Sequence, residues 1–345
     1  MPRISVILPV YNASKYLLES LESLSSQSFD DFEIIAINDG STDNSLQLLQ
    51  EYSKKEHRLR IVSRINKGIT KTLNEGIDLA EGEFIARMDA DDISLPQRFE
   101  KQLNFLENNN IDICGTQYET FGSLSEISNM PINCEDCYLR LLLGFSIAHP
   151  SFFVKKSILS KYKYNEKCKS AQDYELCCRM ALGKVKMGNC PDVLLKYRYS
   201  PNSISSTRTK EQNSFALTSS KKYWEQMEIT QDIPYPLCVI DSLNNNLDDL
   251  KNSMKSLIEL HKRLKDNNYM NGFIHSKQML LLRRQSFYGL SNVLPFLKRI
   301  RNLNIKTKII YSLMAITKVM KIKEYINKLL SNSSKQKIFT YLNLR

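Results

Sequence analysis

Three carboxylates in four positions, Asp89-Ala90-Asp91-Asp92, directly follow an apolar run that ends at Met88. Like charges this close repel unless a cation or hydrogen-bond donors compensate them. Hard divalent cations are commonly held by one or two carboxylates together with substrate phosphates. The cluster therefore reads as a metal–diphosphate site. The alternative is a solvated acidic turn that caps the helix after it.

Three further segments place polar groups where a strand gives way to a turn. In Asn38-Asp39-Gly40-Ser41-Thr42-Asp43 the residue types make good turns and N-caps, so Asp43 reads as the cap of the next helix. Asp39, at the strand tip, is either part of that turn or an acceptor for a nucleobase or ribose. Asn66-Lys67-Gly68-Ile69-Thr70-Lys71 opens a helix. Gly allows close backbone approach there, and a helix N-terminus favours an anion. Lys71, one turn in, is either a phosphate contact or a solvated lysine. Asp173, in Ala171-Gln172-Asp173-Tyr174-Glu175, is either an N-cap or a general base at a cleft edge. His149, ahead of a strand, reads as a hydrogen-bonded structural residue.

These segments need a frame, and the first 90 residues supply an alternating one. Strands are expected at 4–8, 32–38, 59–62 and 83–88, with helices at 13–26, 43–52 and 69–80. Strands that alternate with 10–15-residue helical patterns imply crossover units and a mostly parallel sheet. Pro96 reads as opening a further helix to about residue 107. A strand is expected at 111–121, a helix at 173–182 and a last strand at 193–199. The pattern loosens over 134–160, and from about 214 onward helical spacing dominates. In open α/β sheets ligands sit beyond the carboxyl ends of strands, where the four segments fall. The G-x-x-x-x-G-K-[ST], G-x-G-x-x-G, G-x-S-x-G and H-E-x-x-H patterns are absent, so P-loop, dinucleotide, serine-hydrolase and zincin chemistry lose their usual signatures.

The chain has 345 residues, 42% hydrophobic and 25% charged, enough apolar matter for a real core and long enough for two domains. No stretch approaches the ~20 apolar residues of a membrane span. The N-terminal MPRISVILPVYN lacks a small-residue cleavage site and is not read as a signal peptide, so the expected compartment is the cytoplasm. The eight cysteines read as free thiols, since Cys134-x-x-Cys137 has no second pair at zinc-ribbon spacing. The net charge is +11, unevenly spread. Residues 1–205 carry 24 basic and 27 acidic residues, whereas 206–345 carry 24 and 10. Within 261–345 there are 18 basic residues against 2 acidic ones. Such a tail favours an anionic partner.

Taken in order, Pro9-Val10-Tyr11-Asn12, Asn38 to Asp43, Asn66-Lys67-Gly68 with Asn74-Glu75-Gly76, and Asp89-Ala90-Asp91-Asp92 resemble the nucleotide-binding half of a family 2 inverting glycosyltransferase. The likeness covers roughly residues 1–205. It implies an α/β fold of the GT-A nucleotide-diphospho-sugar transferase type over 1–205, with a basic, mainly helical region at 206–345. It also implies a UDP-sugar donor, with Pro9, Tyr11 and Asp39 at the nucleoside and Asn66 and Lys71 lining the uridine–diphosphate pocket. Asp89 would contact the nucleotide sugar, and Asp91, with Asp89, would hold Mn2+ or Mg2+. Asp92 would assist either role. The family's acceptor-side acid maps onto Asp173 as general base. Many members carry Tyr-Arg-x-His after the last strand, whereas this chain reads Tyr197-Arg198-Tyr199-Ser200. The imidazole is missing, and Arg198 is left to help neutralise the diphosphate.

Gly68-Ile69-Thr70-Lys71 resembles bacterial enzymes that add hexoses to O-antigen or capsule units. The implied acceptor is a glycan on undecaprenyl diphosphate. Leu280 to Arg284, Ile300-Arg301, Ile309 to Tyr311 and Lys318 to Lys323 mix apolar and cationic residues at helical spacing, which suits peripheral attachment to an anionic membrane surface on the cytoplasmic side. A covering helical subdomain is the alternative. Nucleic acid is not an expected partner, because zinc-finger and RNA-recognition signatures are lacking. A sugar nucleotidyltransferase would need a Gly-rich, Arg-containing loop near the N-terminus. A processive synthase would need Gln-x-x-Arg-Trp, but the sole Trp224 sits in Lys-Tyr-Trp-Glu. A catalytically inactive nucleotide-sugar-binding scaffold remains the other alternative.

Overall fold

A computed structural model describes residues 1–199 apart from 124, together with 210–240, 246–286 and 295. The chain divides into two compact units, Met1–Met227 and Glu228–Arg345. The boundary expected at 205/206 falls outside the described residues, as do Ser200 and the basic segments at 300–301, 309–311 and 318–323.

The first unit begins with the anticipated alternation. It runs β1 (Ile4–Val10), α1 (Leu17–Ser25), β2 (Phe32–Asp39), α2 (Ser45–Ser53), β3 (Leu59–Arg64), α3 (Ile69–Leu79) and β4 (Phe84–Arg87). It continues through β5 (Ile93–Ser94), α4 (Arg98–Asn109), β6 (Ile113–Gly122), α5 (Cys134–Leu141), β7 (Phe153–Lys155), α6 (Lys156–Tyr162), α7 (Gln172–Leu182), β8 (Met187–Tyr199) and α8 (Lys210–Gln226). The eight strands form one sheet in the order β3-β2-β1-β4-β7-β6-β8-β5. β3, β2, β1 and β4 are mutually parallel, and β6 pairs parallel with β8. β7 is antiparallel to both β4 and β6, and β5 is antiparallel to β8.

The β-branched runs of β1 and β2 are buried at nearly every position, as expected for strands covered on both faces. Phe32 packs edge-on against Phe99 at 5.3 Å, and Phe84 stacks on Phe153 at 5.6 Å. Short β7 and α6 lie in the stretch where periodicity loosened. Three strand residues are too few for a period to show, and β7 is fixed by its two neighbours instead.

Two features of this topology position a site. β2 lies on one side of β1 and β4 on the other, so the chain reverses its winding there. The crevice of a doubly wound sheet opens at such a switch point, here beyond the ends of β1, β2 and β4. Next, β5 follows Asp92 directly and pairs Ile93 with Lys196 and Ser94 with Leu195. That pairing draws the far end of β8 across the Asp-rich turn.

The second unit contains α9 (Leu237–Ile240), α10 (Leu247–Arg263) and α11 (Asn268–Ser286). Asn246 caps α10 by accepting from the amides of Asp248 and Asp249. Gln278 and Gln285 on α11 donate to the carbonyls of Leu257 and Leu250, which makes α10 and α11 an antiparallel hairpin. Leu280 to Arg284 lies on α11. Among the described residues no helix is long and apolar enough to cross a membrane.

Candidate active site

The loops after β1 and β2 are tied together by short polar side chains. Asn12, at φ 50°, donates its amide to Ser41 Oγ at 3.0 Å and accepts from the Thr42 amide at 2.8 Å. Asp43 takes the Ser14 amide at 3.0 Å and the Ser45 hydroxyl at 2.6 Å. Burial opposes its charge, but these donors from Ser45 and Ser14 hold the carboxyl down to about 2. Asp43 is therefore a bridge between loops, and Asn44 occupies the N-cap position of α2. Pro9 is partly buried at the end of β1, and Tyr11 is exposed beside it.

Asp39 is buried at the tip of β2. It accepts from the amides of Lys67 at 2.7 Å and Gly68 at 3.0 Å, and from Arg64. Arg64 in turn donates to Glu75 at 2.6 Å and Thr72 at 2.9 Å. Burial works against ionisation here, yet the Lys67 amide and Arg64 prevail and hold the carboxyl below its ordinary value. Both Asp39 oxygens thus anchor the loop that presents exposed Asn66 and, on the first turn of α3, exposed Lys71. Gly40 sits at φ +71°, and a Cβ there would lie 2.6 Å from the Asn66 amide nitrogen. Gly40→Ala is expected to cost about 1–3 kcal/mol through strain and forced separation of the two loops. A fall in melting temperature together with weaker UDP binding, by thermal shift with and without UDP, checks it.

At the end of β4 the structure brings Asp89, Asp91 and Asp92 together, with one oxygen from each within 4.8 Å of the others. Asp92 is buried and accepts from the Arg198 amide at 2.8 Å through Oδ1. Its Oδ2 is buried without a partner. Burial first, then the charges of Asp89 and Asp91, push its carboxyl well above the usual range. Burial and Asp89 likewise push Asp91 up to about 6. Asp89 is answered instead by Arg87, which donates Nη1 to Oδ2 at 2.5 Å and Nη2 to Oδ1. A hard cation suits this set. Its donors are carboxylate oxygens, one is orphaned, and two carboxyls are held high only while no cation balances them. Asp91 and Asp92 have the freer oxygens, because Arg87 covers both of Asp89's.

Arg198 lies across this turn. Its Nε donates to the Asp91 carbonyl at 2.8 Å, its Nη2 pairs with Glu19, and its guanidinium stacks over Tyr16 at 4.0 Å and Phe121 at 4.3 Å. The side chain is committed to holding the Asp-rich turn rather than projecting freely toward a ligand.

Asp173 lies in the first turn of α7, which starts at Gln172 after an N-cap Ala171 at φ 54°. Burial raises its carboxyl above the ordinary value, although the Tyr174 amide and the positive field of Arg87 oppose the rise. It also feels the charge of Asp89. His149 is buried, and its Nε2 lies 2.8 Å from Tyr164 Oη. Burial and the Arg87 field hold the imidazole well below its usual value and therefore neutral, as a structural role requires.

Sequence reasoning missed Arg87 and Arg98. Arg98 is fully buried and donates to the Arg87 carbonyl at 2.7 Å and to Gln102 at 2.9 Å. Burial draws its guanidinium down to about 9. The available signal was an arginine closing the otherwise apolar strand Phe84-Ile85-Ala86-Arg87 just before three acids.

The sequence model of glycosyl transferase family 2 matches residues 5–163. An uncharacterized glycosyltransferase of Haemophilus influenzae is 31% identical over 86% of this chain and 91% of its own length. The minor teichoic acid biosynthesis protein GgaB of Bacillus subtilis is 28% identical over 61% of this chain and 24% of its own length. Among solved structures, S. aureus TarS 1-349 in complex with UDP-GlcNAc has a TM-score of 0.59 at 17% identity, over 91% of each chain. That last likeness is one of fold. The sheet, the acidic turn at its switch point and the relative matched along nearly its whole length agree: this chain belongs to glycosyl transferase family 2 and is a glycosyltransferase of the GT-A fold.

Proposed function

We propose that the protein transfers a hexose, with inversion and with the help of Mn2+ or Mg2+, from a UDP-sugar to a hydroxyl of a lipid-diphosphate-linked glycan in the building of bacterial surface polysaccharide. The observation that carries this reading is the gathering of Asp89, Asp91 and Asp92, with an orphaned Asp92 oxygen, at the end of β4. The teichoic acid relative and the UDP-GlcNAc bound to TarS support the substrate class.

Breaking the sugar–phosphate bond builds negative charge on the departing diphosphate. Asp91 and Asp92 would hold a divalent cation, which would supply electrostatic stabilisation of that charge. Pro9, Tyr11 and the loop anchored by Asp39 receive the nucleoside, and Asn66 and Lys71 flank the diphosphate. Arg198 keeps the acidic turn in place. Asp173 accepts the proton of the acceptor hydroxyl as its oxygen attacks the anomeric carbon. One displacement inverts that carbon, so an α-linked donor yields a β-glycoside. A thermal-shift screen of UDP-sugars with and without Mn2+ tests the reading. A shift that needs both partners is expected, and identical melting in every well would contradict it.

The basic residues of 261–345 support peripheral placement on the inner leaflet, where each cation near an anionic surface contributes ~1 kcal/mol. The full chain is expected to sediment with phosphatidylglycerol vesicles at low salt and to be released at about 0.5 M salt, where the Debye length is under ~8 Å. Equal sedimentation with neutral phosphatidylcholine vesicles would contradict this placement.

A further inference from the structure

Arg87 is a buried cation on β4 for which the proposed mechanism has no use. Its two terminal nitrogens are both spent on Asp89. Its Nε is buried without a partner, although an unmade hydrogen bond of this kind costs stability. A charge kept in the interior at such a cost usually serves a site rather than the fold. Its surroundings favour the same conclusion. Asp173 and Asp89 lie within its field. The Arg87 backbone amide donates to the Phe152 carbonyl at 2.8 Å, and on that side His149 packs edge-on to Phe152 at 4.9 Å and to Tyr164 at 5.6 Å. Asn74 pins the Tyr164 backbone through bonds of 2.8 and 2.9 Å. In such a dry setting a two-pronged guanidinium–carboxylate contact fixes the plane of the carboxylate as well as its charge.

We infer that Arg87 is a positioning residue that fixes the carboxylate of Asp89 for the nucleotide sugar. The inference rests on the donor reading above, and it goes further by making the orientation of Asp89 depend on a residue that touches no substrate. Lysine at this position keeps the charge and loses the second prong, so it is not an equivalent. Methionine removes the charge with its volume nearly kept, but it leaves Asp89 without its partner, so its melting temperature is read beside its binding.

Calorimetric titration of UDP, with Mn2+ present, into the full chain tests the inference, with melting temperature as the control for folding. Arg87→Lys is expected to weaken UDP binding about tenfold and Arg87→Met by at least as much. Asp89→Asn weakens it too, and Arg87→Lys combined with Asp89→Asn binds no more weakly than Asp89→Asn alone, because the two residues act as a unit. Two results overturn the inference: folded Arg87 variants that bind UDP as tightly as the wild type, or losses that multiply in the double variant. Failure of both Arg87 variants to fold also overturns it, since Arg87 then serves stability. A wild-type chain that binds no UDP fails differently, because it removes the donor reading itself.

Discussion

Asp173→Asn is expected to lower transfer about 10²–10⁴-fold, the usual contribution of a positioned general base, while the affinity for UDP changes less than about twofold. The amide keeps the shape and the contact with the start of α7 but cannot take a proton. Burial raises the Asp173 carboxyl, so the ionised form needed for catalysis is lost at a higher pH than for a solvent-exposed aspartate. The acid limb of the pH–rate profile should accordingly lie above the ordinary carboxylate value near ~4. Initial rates of UDP release in the presence of acceptor, beside calorimetric UDP binding, separate the two effects. Transfer within tenfold of the wild type would move the base to another residue.

Asp91→Asn is expected to act in opposite directions on function and stability. Asp91 is pushed up to about 6 by burial and by Asp89. A carboxyl whose value is raised on folding adds stability below its unfolded value near ~4, and that stability is lost as pH rises through about 6. At pH 7.5 the ionised side chain is therefore a strain on the metal-free fold, and the neutral amide relieves it. The variant should melt about 2–4 °C higher than the wild type without metal. It should also lose the stabilisation that Mn2+ with UDP gives the wild type, together with about 10²-fold or more of transfer. In the wild type the Mn2+ effect should fade below pH 6, where protons compete for Asp91. Differential scanning calorimetry at pH 5.5 and 7.5 with and without Mn2+ checks both signs. A variant that melts lower than the wild type without metal would show that the cluster is not strained.

The parallel half of the sheet was legible because its signals are local. β1 to β4 are apolar runs separated by helical spacing, and each strand ends in turn-forming residues that coincide with a site segment. The rest depends on partners distant in sequence. Arg198 reaches Asp92 across 106 positions, and no spacing rule announces such a pair. Asp39 looked free to read a ligand, yet Arg64 and two amides occupy its oxygens. Asp43 had the composition of a cap but is drawn to Ser14 as well as Ser45. α5, β7 and α6 are short and take their conformation from neighbours, so propensity did not mark them. Arg87 and Arg98 escaped notice because a lone arginine in an apolar stretch is ordinarily at a surface. Here Asp89 makes burial tolerable for Arg87, and Gln102 with the Arg87 carbonyl does so for Arg98.

In the proposed mechanism a cation held by Asp91 and Asp92 would dock the sugar nucleotide where β4 ends. Electron paramagnetic resonance of Mn2+ tests it without reference to activity. On adding the full chain and UDP, the sharp six-line spectrum of free Mn2+ should broaden and lose intensity, and Asp91→Asn should restore it. A spectrum unchanged by folded wild-type protein and UDP, or equally broadened by the Asp91→Asn variant, would contradict the account.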